Sequence, residues 1–414
     1  MEKVKLTANI LFSGIGCQEE GIKNSGVFDL EVISTSEINK EAILSYAIIH
    51  NNLNQEMINN YDSYPSVEEM IRELSEKNIG YIPEKKACYN WGKHKGKSQE
   101  IIKKYWLANH LNHNLGDISK INSLPYADLW TVSFPCQSIS CAGKMKGFKP
   151  DSGTRSSLLW ENIRLLKEAV NQKISPKYIL FENVKNLVGK KFYPDFLTLI
   201  DILADLGYNF YWQVLNAKDC GIPQNRERVF VICIRKDIDN GTYTFPLPFE
   251  SKIRLKDIFD ESVTEEYYVE NKRAKVLIEK FKKEGLPLVI NTNKAIKVGN
   301  VSSEYSQAGS VFDEDGLFPT ICAGTHGYAL GYVLEKEKNI IRQLTVEECF
   351  ALMGMKKEYV KNCKQLNLSK TALYKQAGNG IVSDCVELLA EHLYKAQYNG
   401  NFECKDERLE EGVK

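Results

Sequence analysis

Short apolar runs alternate with amphipathic stretches through the first half of the chain, the pattern of strand-then-helix units that assemble a largely parallel sheet. Leu6–Phe12, Leu30–Ser34, Leu129–Phe134, Tyr178–Glu182 and Val229–Ile234 predict strands, and residues 20–24, 40–50, 158–170 and 196–206 predict helices. The expected fold class is α/β, a mostly parallel doubly wound sheet. Near residues 52–113 the alternation gives way to Asn-rich and then Lys-rich helical sequence, which reads as an insertion on the sheet. Beyond Asn240-Gly241 and the prolines at 246 and 248 the texture changes again. A helical piece over 265–283 precedes short strands broken by Gly299, Gly309, Gly316, Gly324, Gly327 and Gly331, a smaller and largely β domain. Apolar positions over 381–394 then predict a helix that packs back on the large sheet. The expected domains are 1–242, 243–367 and a returning segment 368–400, with a charged tail over 401–414.

Composition narrows the function classes. Of 414 residues, 43% are hydrophobic and 26% charged, which is ordinary for a globular protein and excludes a fibrous or largely disordered one. No run reaches the roughly 20 apolar residues of a membrane helix, and the opening residues lack a signal-peptide pattern. The eleven cysteines contain no C-x-x-C pair and read as reduced thiols, so a cytoplasmic protein is expected. With 54 basic and 54 acidic residues there is no whole-molecule attraction for a polyanion or a membrane. Local segregation does exist at Lys85–Lys104, where seven lysines face one acid, Glu100, among interleaved aromatic residues. That stretch is either a polyanion surface or a solvated insertion.

The candidate chemistry falls at strand ends, where open α/β sheets place their ligands. Phe12-Ser13-Gly14-Ile15-Gly16 closes the first strand with glycines that admit a tight turn, and Phe12 offers a stacking surface. Its third glycine lies at 21, not 19, so it departs from the dinucleotide fingerprint and weighs against a nicotinamide enzyme. Glu37 stands where an acid can accept from ribose hydroxyls, and Asp117 offers a carboxylate to an adenine amino group. Pro135 fixes Cys136 at the end of an apolar strand, as a nucleophile requires, although a buried inert thiol is equally compatible with the sequence alone. A Gly- and Lys-rich loop with Lys144 and Arg155 follows, suited to close over a phosphate backbone. Glu182 ends another strand, and Arg226 and Arg228 share one face of an extended segment. A thiol, a carboxyl group and paired arginines form a coherent set for attack on an electron-poor ring.

The order of these motifs resembles the cytosine-C5 DNA methyltransferases over nearly the whole chain. FSGIG, FPCQS, ENV, QNRER, RQLTVEEC and AGNGI follow one another as the family's motifs do, and AIIHNN and SGTRSSLLWE look most like the mollicute-type CpG-methylating members. The resemblance implies a class I S-adenosylmethionine-dependent fold and a sequence-specific enzyme of a restriction-modification system. It implies that Phe12, Gly14, Gly16, Glu37, Asp117, Ile118, Asn379 and Ile381 bind S-adenosylmethionine, and that Cys136 adds to C6 of a flipped-out cytosine. Glu182 would engage N3 and the amino group, Arg228 would hold O2, and Arg226 would brace the Pro-Cys loop. Lys144, Arg155, Thr320 and Gly324 would touch double-stranded DNA, the last two within the target recognition domain. A monomer is expected, with any cognate restriction endonuclease acting independently. Ile38 and Gly380 depart from the usual family residues at their positions. Competing readings are an RNA (tRNA) cytosine methyltransferase using the same thiol and an inactive DNA-binding regulator. A zinc site from Cys88, His94, His110 and His113 has irregular spacing, and no metal is expected.

Overall fold

Val4–Leu11 forms the first strand, β1, and its residues pass from partly to fully buried along its length, as in a strand covered on both faces. The computed structural model describes residues 2–83, 85–96, 98–136, 138–139, 147, 155–285, 293–302, 307–323 and 330–411. Parallel pairing joins β1 to β2 (Phe28–Ser36) and β3 (Leu129–Val132), and β3 to β4 (Tyr178–Val184). After β5 (Tyr208–Asn216) and the two-residue β6 (Gln224–Asn225), β7 (Glu227–Arg235) runs antiparallel to β4. The resulting sheet has the order β2-β1-β3-β4-β7-β5, the mostly parallel α/β sheet that the hydrophobic pattern predicts.

Helices α1 (Cys17–Asn24) and α2 (Lys40–His50) follow the first two strands. The insertion supplies α3 (Gln55–Asn60), α4 (Val67–Glu76) and α5 (Gln99–Leu111), and α6 (Leu159–Asn171) and α7 (Tyr193–Asp205) follow β3 and β4. One core joins Trp130, Val132, Phe181 and Val231 of the sheet to Leu159, Ile163, Phe196 and Leu199 of α6 and α7.

The chain divides into two compact units. The first comprises Met1–Val214, Arg228–Pro246 and Val386–Lys405; the second comprises Leu215–Glu227, Leu247–Cys385 and Asp406–Lys414. In the second, α8 (Lys272–Glu284) packs on a four-stranded sheet of order β12-β11-β9-β8. Its strands are β8 (Lys297–Asn300), β9 (Ser310–Asp313), β11 (Tyr332–Glu335) and β12 (Ile340–Gln343), while β10 (Phe318–Pro319) pairs with β6. Helices α9 (Val346–Ala351), α10 (Glu358–Gln365) and α11 (Lys370–Asn379) follow, then α12 (Ser383–Gln397), within which the units meet in sequence, and α13 (Lys405–Glu411).

Several boundaries differ from the sequence pattern for local reasons. Strand β1 stops at Leu11 because Phe12 adopts a left-handed φ of 57°. Strand β3 stops at Val132, short of Pro135, which has no N–H to continue a ladder. The predicted helix over 265–283 is two pieces, because the Asn271 side chain accepts from Ala274 N and starts α8 anew after a 3₁₀ turn at Glu265–Tyr267. Among the described residues no helix is long and apolar enough to cross a membrane.

Candidate active site

At the carboxyl ends of β1 and β2 the backbone itself builds a cradle. Gly14 and Gly16 have φ of 54° and 83°, and a Cβ on Gly14 would meet nothing within 4 Å, leaving open space over the loop. Gly16 starts α1 instead against packed neighbours, where a Cβ would fall 2.1 Å from His50 Nε2. The Glu37 carboxylate accepts from Gly14 N at 3.1 Å and from Ile38 N and Asn39 N at 2.8 Å each. These bonds fix a partly exposed carboxylate beside the glycine loop. Phe12, partly buried, packs its ring against the sheet core below it.

A buried Asn114 ties the third loop to this turn. Its Oδ1 accepts from Glu37 N at 2.9 Å and its Nδ2 donates to Glu37 O at 2.9 Å, while Ser36 Oγ donates to Gly116 O at 2.7 Å. Asp117 therefore stands next to Glu37 on the same sheet edge. Its carboxylate accepts from Ser119 Oγ and from Asn78 Nδ2, both at 2.7 Å. Ile118 is only 3% exposed and its side chain belongs to the sheet core, so any part it takes in binding falls to its backbone. Beneath the cradle, Tyr46 OH donates to the buried Glu19, and His50 Nε2 lies 3.0 Å from Ile15 O. Burial lowers the His50 pKa, which keeps the ring neutral and a donor to that carbonyl near neutral pH.

Two neighbouring strand ends hold the second group. Asn183 Nδ2 donates to Phe134 O at 2.9 Å, and Ser156 Oγ donates to Pro135 O at 2.6 Å, so both carbonyls preceding Cys136 are clamped. Ser156 Oγ also accepts from Ser138 N at 3.2 Å, and Asn186 Nδ2 donates to Ile139 O at 2.6 Å. Cys136 is partly exposed on this pinned turn. Glu182, 8% exposed, lies opposite Phe230 in the β4–β7 ladder, and Arg228 lies opposite Val184. Residues so related are diagonal neighbours on one face, within reach of a long side chain. Arg228 Nε accordingly sits 3.2 Å from Glu182 Oε1.

The remaining predicted residues belong to the second unit or are not described. Arg226, 3% exposed, sends its guanidinium to the carbonyls of Ile321, Gly378 and Gly380 at 3.0, 3.2 and 2.7 Å. Through these bonds the fork braces the AGNGI segment. Gln224 Nε2 donates to Leu352 O at 2.7 Å and its Oε1 accepts from Ile321 N at 3.0 Å. Thr320 Oγ1 donates to Asn225 O at 2.8 Å. Asn379 is exposed at the end of α11, and Ile381 is buried. Lys144, Gly324 and the side chain of Arg155 lie outside the described residues, as does Cys141.

Sequence reasoning did not single out Asn78, Asn114, Ser156, Asn183, Asn186 or Gln224. Three of these sit inside quoted motifs, Asn183 in ENV, Ser156 in SGTRSS and Gln224 in QNRER, where a polar residue beside a buried strand could have flagged a clamp.

Residues 91–395 match the family described as C-5 cytosine-specific DNA methylase. The type II methyltransferase M2.ScrFI of Lactococcus lactis subsp. cremoris is 34% identical over 388 residues, which covers 93% of this chain and 98% of that protein. The orphan methyltransferase M.SssI of Spiroplasma monobiae is 30% identical over 397 residues, 94% of this chain and 97% of its own length. In fold, the chain is similar to the crystal structure of the S. pombe Dnmt2 methyltransferase, with a TM-score of 0.54 at 15% identity over 96% of this chain and all (100%) of that one. A thiol-bearing strand end beside a carboxyl–guanidinium pair, and a match of this extent, make the chain a member of the C-5 cytosine-specific DNA methylases, a DNA (cytosine-5-)-methyltransferase.

Proposed function

We propose that this enzyme methylates C5 of a flipped-out cytosine within a specific duplex sequence, with S-adenosylmethionine as donor and Cys136 as a covalent nucleophile. The observation that carries the reading is the clamped Pro135–Cys136 turn beside the Glu182–Arg228 pair on the adjoining strands. The cradle fits an adenosine: it offers open space over Gly14, the held Glu37 carboxylate, the partly exposed Phe12 ring and a second carboxylate at Asp117. S-adenosylmethionine, when bound, supplies an electrophilic methyl group. Glu37 and Asp117 would hold its hydroxyl and amino groups, with the Ile118 backbone alongside. Roles for Asn379 and Ile381 rest on the resemblance.

Cytosine C5 is a poor nucleophile while the ring is aromatic. Addition of the Cys136 thiolate to C6 forms a C–S bond and moves the ring electron pair to C5, which Glu182 assists at N3 and Arg228 at O2. Once C5 holds the methyl group, with the donor's S–CH3 bond broken and its sulfur left as a neutral thioether, transfer of the C5 proton to water returns the pair to the ring and expels Cys136 as thiolate. The target base must leave the stack to reach a strand end, so the duplex is engaged with the base flipped. Residues 1–242 with the returning segment 368–400 are proposed to carry catalysis and cofactor binding and residues 243–367 target recognition, with Thr320 and Gly324 near the bases and Lys144 and Arg155 on phosphates. One chain, one cofactor and one duplex complete the reaction, so a monomer suffices; any cognate endonuclease would act independently.

Transfer of label from S-adenosylmethionine, compared on duplex DNA and transfer RNA, tests the reading. Cys136→Ala is expected to lose turnover by about 10⁴-fold or more while still binding DNA, and Cys141→Ala to stay active. Full activity of Cys136→Ala would overturn the covalent mechanism.

A further inference from the structure

The insertion carries a charge pattern that methyl transfer does not use. Within residues 52–113 every acid but Glu100 precedes residue 85, and seven lysines follow between 85 and 104. The structure gathers part of this group on tyrosine rings. Lys93 Nζ lies 4.3 Å from the Tyr89 ring centre, Lys103 Nζ lies 5.0 Å from that of Tyr64, and Lys104 Nζ lies 5.5 Å from that of Tyr105. Lys40 Nζ stands 4.9 Å from both Tyr89 and Tyr105, while Trp106 and Leu107 anchor α5 from below. A ring face orients an ammonium group from one side and leaves its other N–H directions to a ligand. Lys85, Lys86 and Lys93 are exposed. Burial, and after it the charge of Lys40, lowers the Lys104 pKa.

The shelf is joined to the cofactor cradle within the first unit. Gly80 N donates to Ile38 O at 2.7 Å, next to Glu37, and Tyr89 N donates to Gly80 O at 3.1 Å. These lysines therefore stand at the same sheet edge as the proposed site. They have no counterpart on the cofactor there, because the ribose end of S-adenosylmethionine carries no anion. A ligand that offers repeated negative charges to spaced cations is a phosphodiester backbone.

We infer that the lysine–tyrosine shelf of the insertion binds the phosphate backbone of duplex DNA outside the recognised sequence. This rests on the DNA-methylating function above, and the shelf acts on how tightly long substrates are held, not on the transfer step. The test uses the full chain and two duplexes with one target each, of about 12 and about 30 base pairs, roughly 40 and 100 Å at 3.4 Å per pair. Binding is measured by fluorescence anisotropy over a range of salt. The wild-type protein should bind the longer duplex more tightly and with a steeper salt slope. The combined substitution Lys85→Ala, Lys86→Ala, Lys93→Ala, Lys103→Ala should lower affinity for the longer duplex toward that for the shorter one. Its slope should shrink by about 0.9 for each phosphate no longer neutralised, and turnover on the short duplex should not change. The same four positions changed to Arg should keep wild-type binding. If the alanine variant does not fold, Lys85→Glu with Lys86→Glu, both at exposed positions, should give the same length-dependent loss. Equal losses on both duplexes, no loss on either, or a single-stranded RNA competing better than the long duplex would overturn the proposal. A wild-type protein that methylates no duplex overturns the functional reading instead, whatever the lysine variants do.

Discussion

Asn183 illustrates how much of this site rests on single polar side chains. It is 2% exposed, and its amide spans from β4 to Phe134 O, two residues before Cys136. Asn183→Ala leaves that carbonyl without this donor, which should cost about 1–3 kcal/mol of stability and lower kcat more than it raises the KM for DNA. Urea unfolding and steady-state methylation read the two effects separately. His50 gives a pH prediction. Its folded pKa lies below its unfolded value, so on acidification the unfolded chain takes up a proton first. Stability contributed by His50 is therefore complete above pH of about 6.5 and declines as pH falls from there toward the folded pKa. Unfolding free energies compared at several pH values should fall less steeply over that window in His50→Gln than in the wild-type protein. An unchanged slope would show that His50 is not the titrating group.

At the scale of elements, the arrangement follows from which strands are neighbours. Strands β3 and β4 are parallel, and β7 returns antiparallel, so the end of β3, the end of β4 and the start of β7 share one edge. That register brings Arg228 diagonally beside Glu182 although 46 positions separate them in the chain. In the second unit, α11 approaches the segment after β10 so closely that a Cβ on Gly378 would lie 2.3 Å from Ala323 N and 2.4 Å from Cys322 C. Both atoms are backbone and cannot swing aside. Gly378→Ala is expected to destabilise the protein by roughly 1–3 kcal/mol, the usual range for overpacking, and to disturb the Arg226 bonds to Gly378 and Gly380. A lowered midpoint in thermal unfolding checks this, and an unchanged midpoint would mean that the helix can withdraw without penalty.

For the whole molecule, zero net charge makes DNA binding depend on where the charges are placed. Lys144→Ala and Arg155→Ala are expected to weaken binding to all duplexes alike and to reduce the salt slope, since phosphate contacts position the protein without reading sequence. Thr320→Ala should instead change which sequences are methylated, as its hydroxyl is held on Asn225 O beside Arg226. Salt titrations on matched and mismatched duplexes distinguish the two behaviours. A Thr320→Ala protein with uniform loss, paired with an Arg155→Ala protein of altered target choice, would reverse the assignment.

The alternation of strands and helices, the order of the motifs and the residue types that end each strand are legible along the chain before any fold is known. These are local properties, read from periodicity and from the special backbones of glycine and proline. The sequence also marks the segregated lysines of the insertion, because charge spacing needs no tertiary information. Where the buried polar groups find partners emerges only once the elements pack. Arg226 turned to carbonyls at 321, 378 and 380, Asn114 to the turn at Glu37, and Gln224 to Leu352, each across 77 to 154 positions of chain. A buried donor must be satisfied by whatever the packed elements bring beside it, and that neighbour is set by strand order and helix packing, which no local pattern encodes.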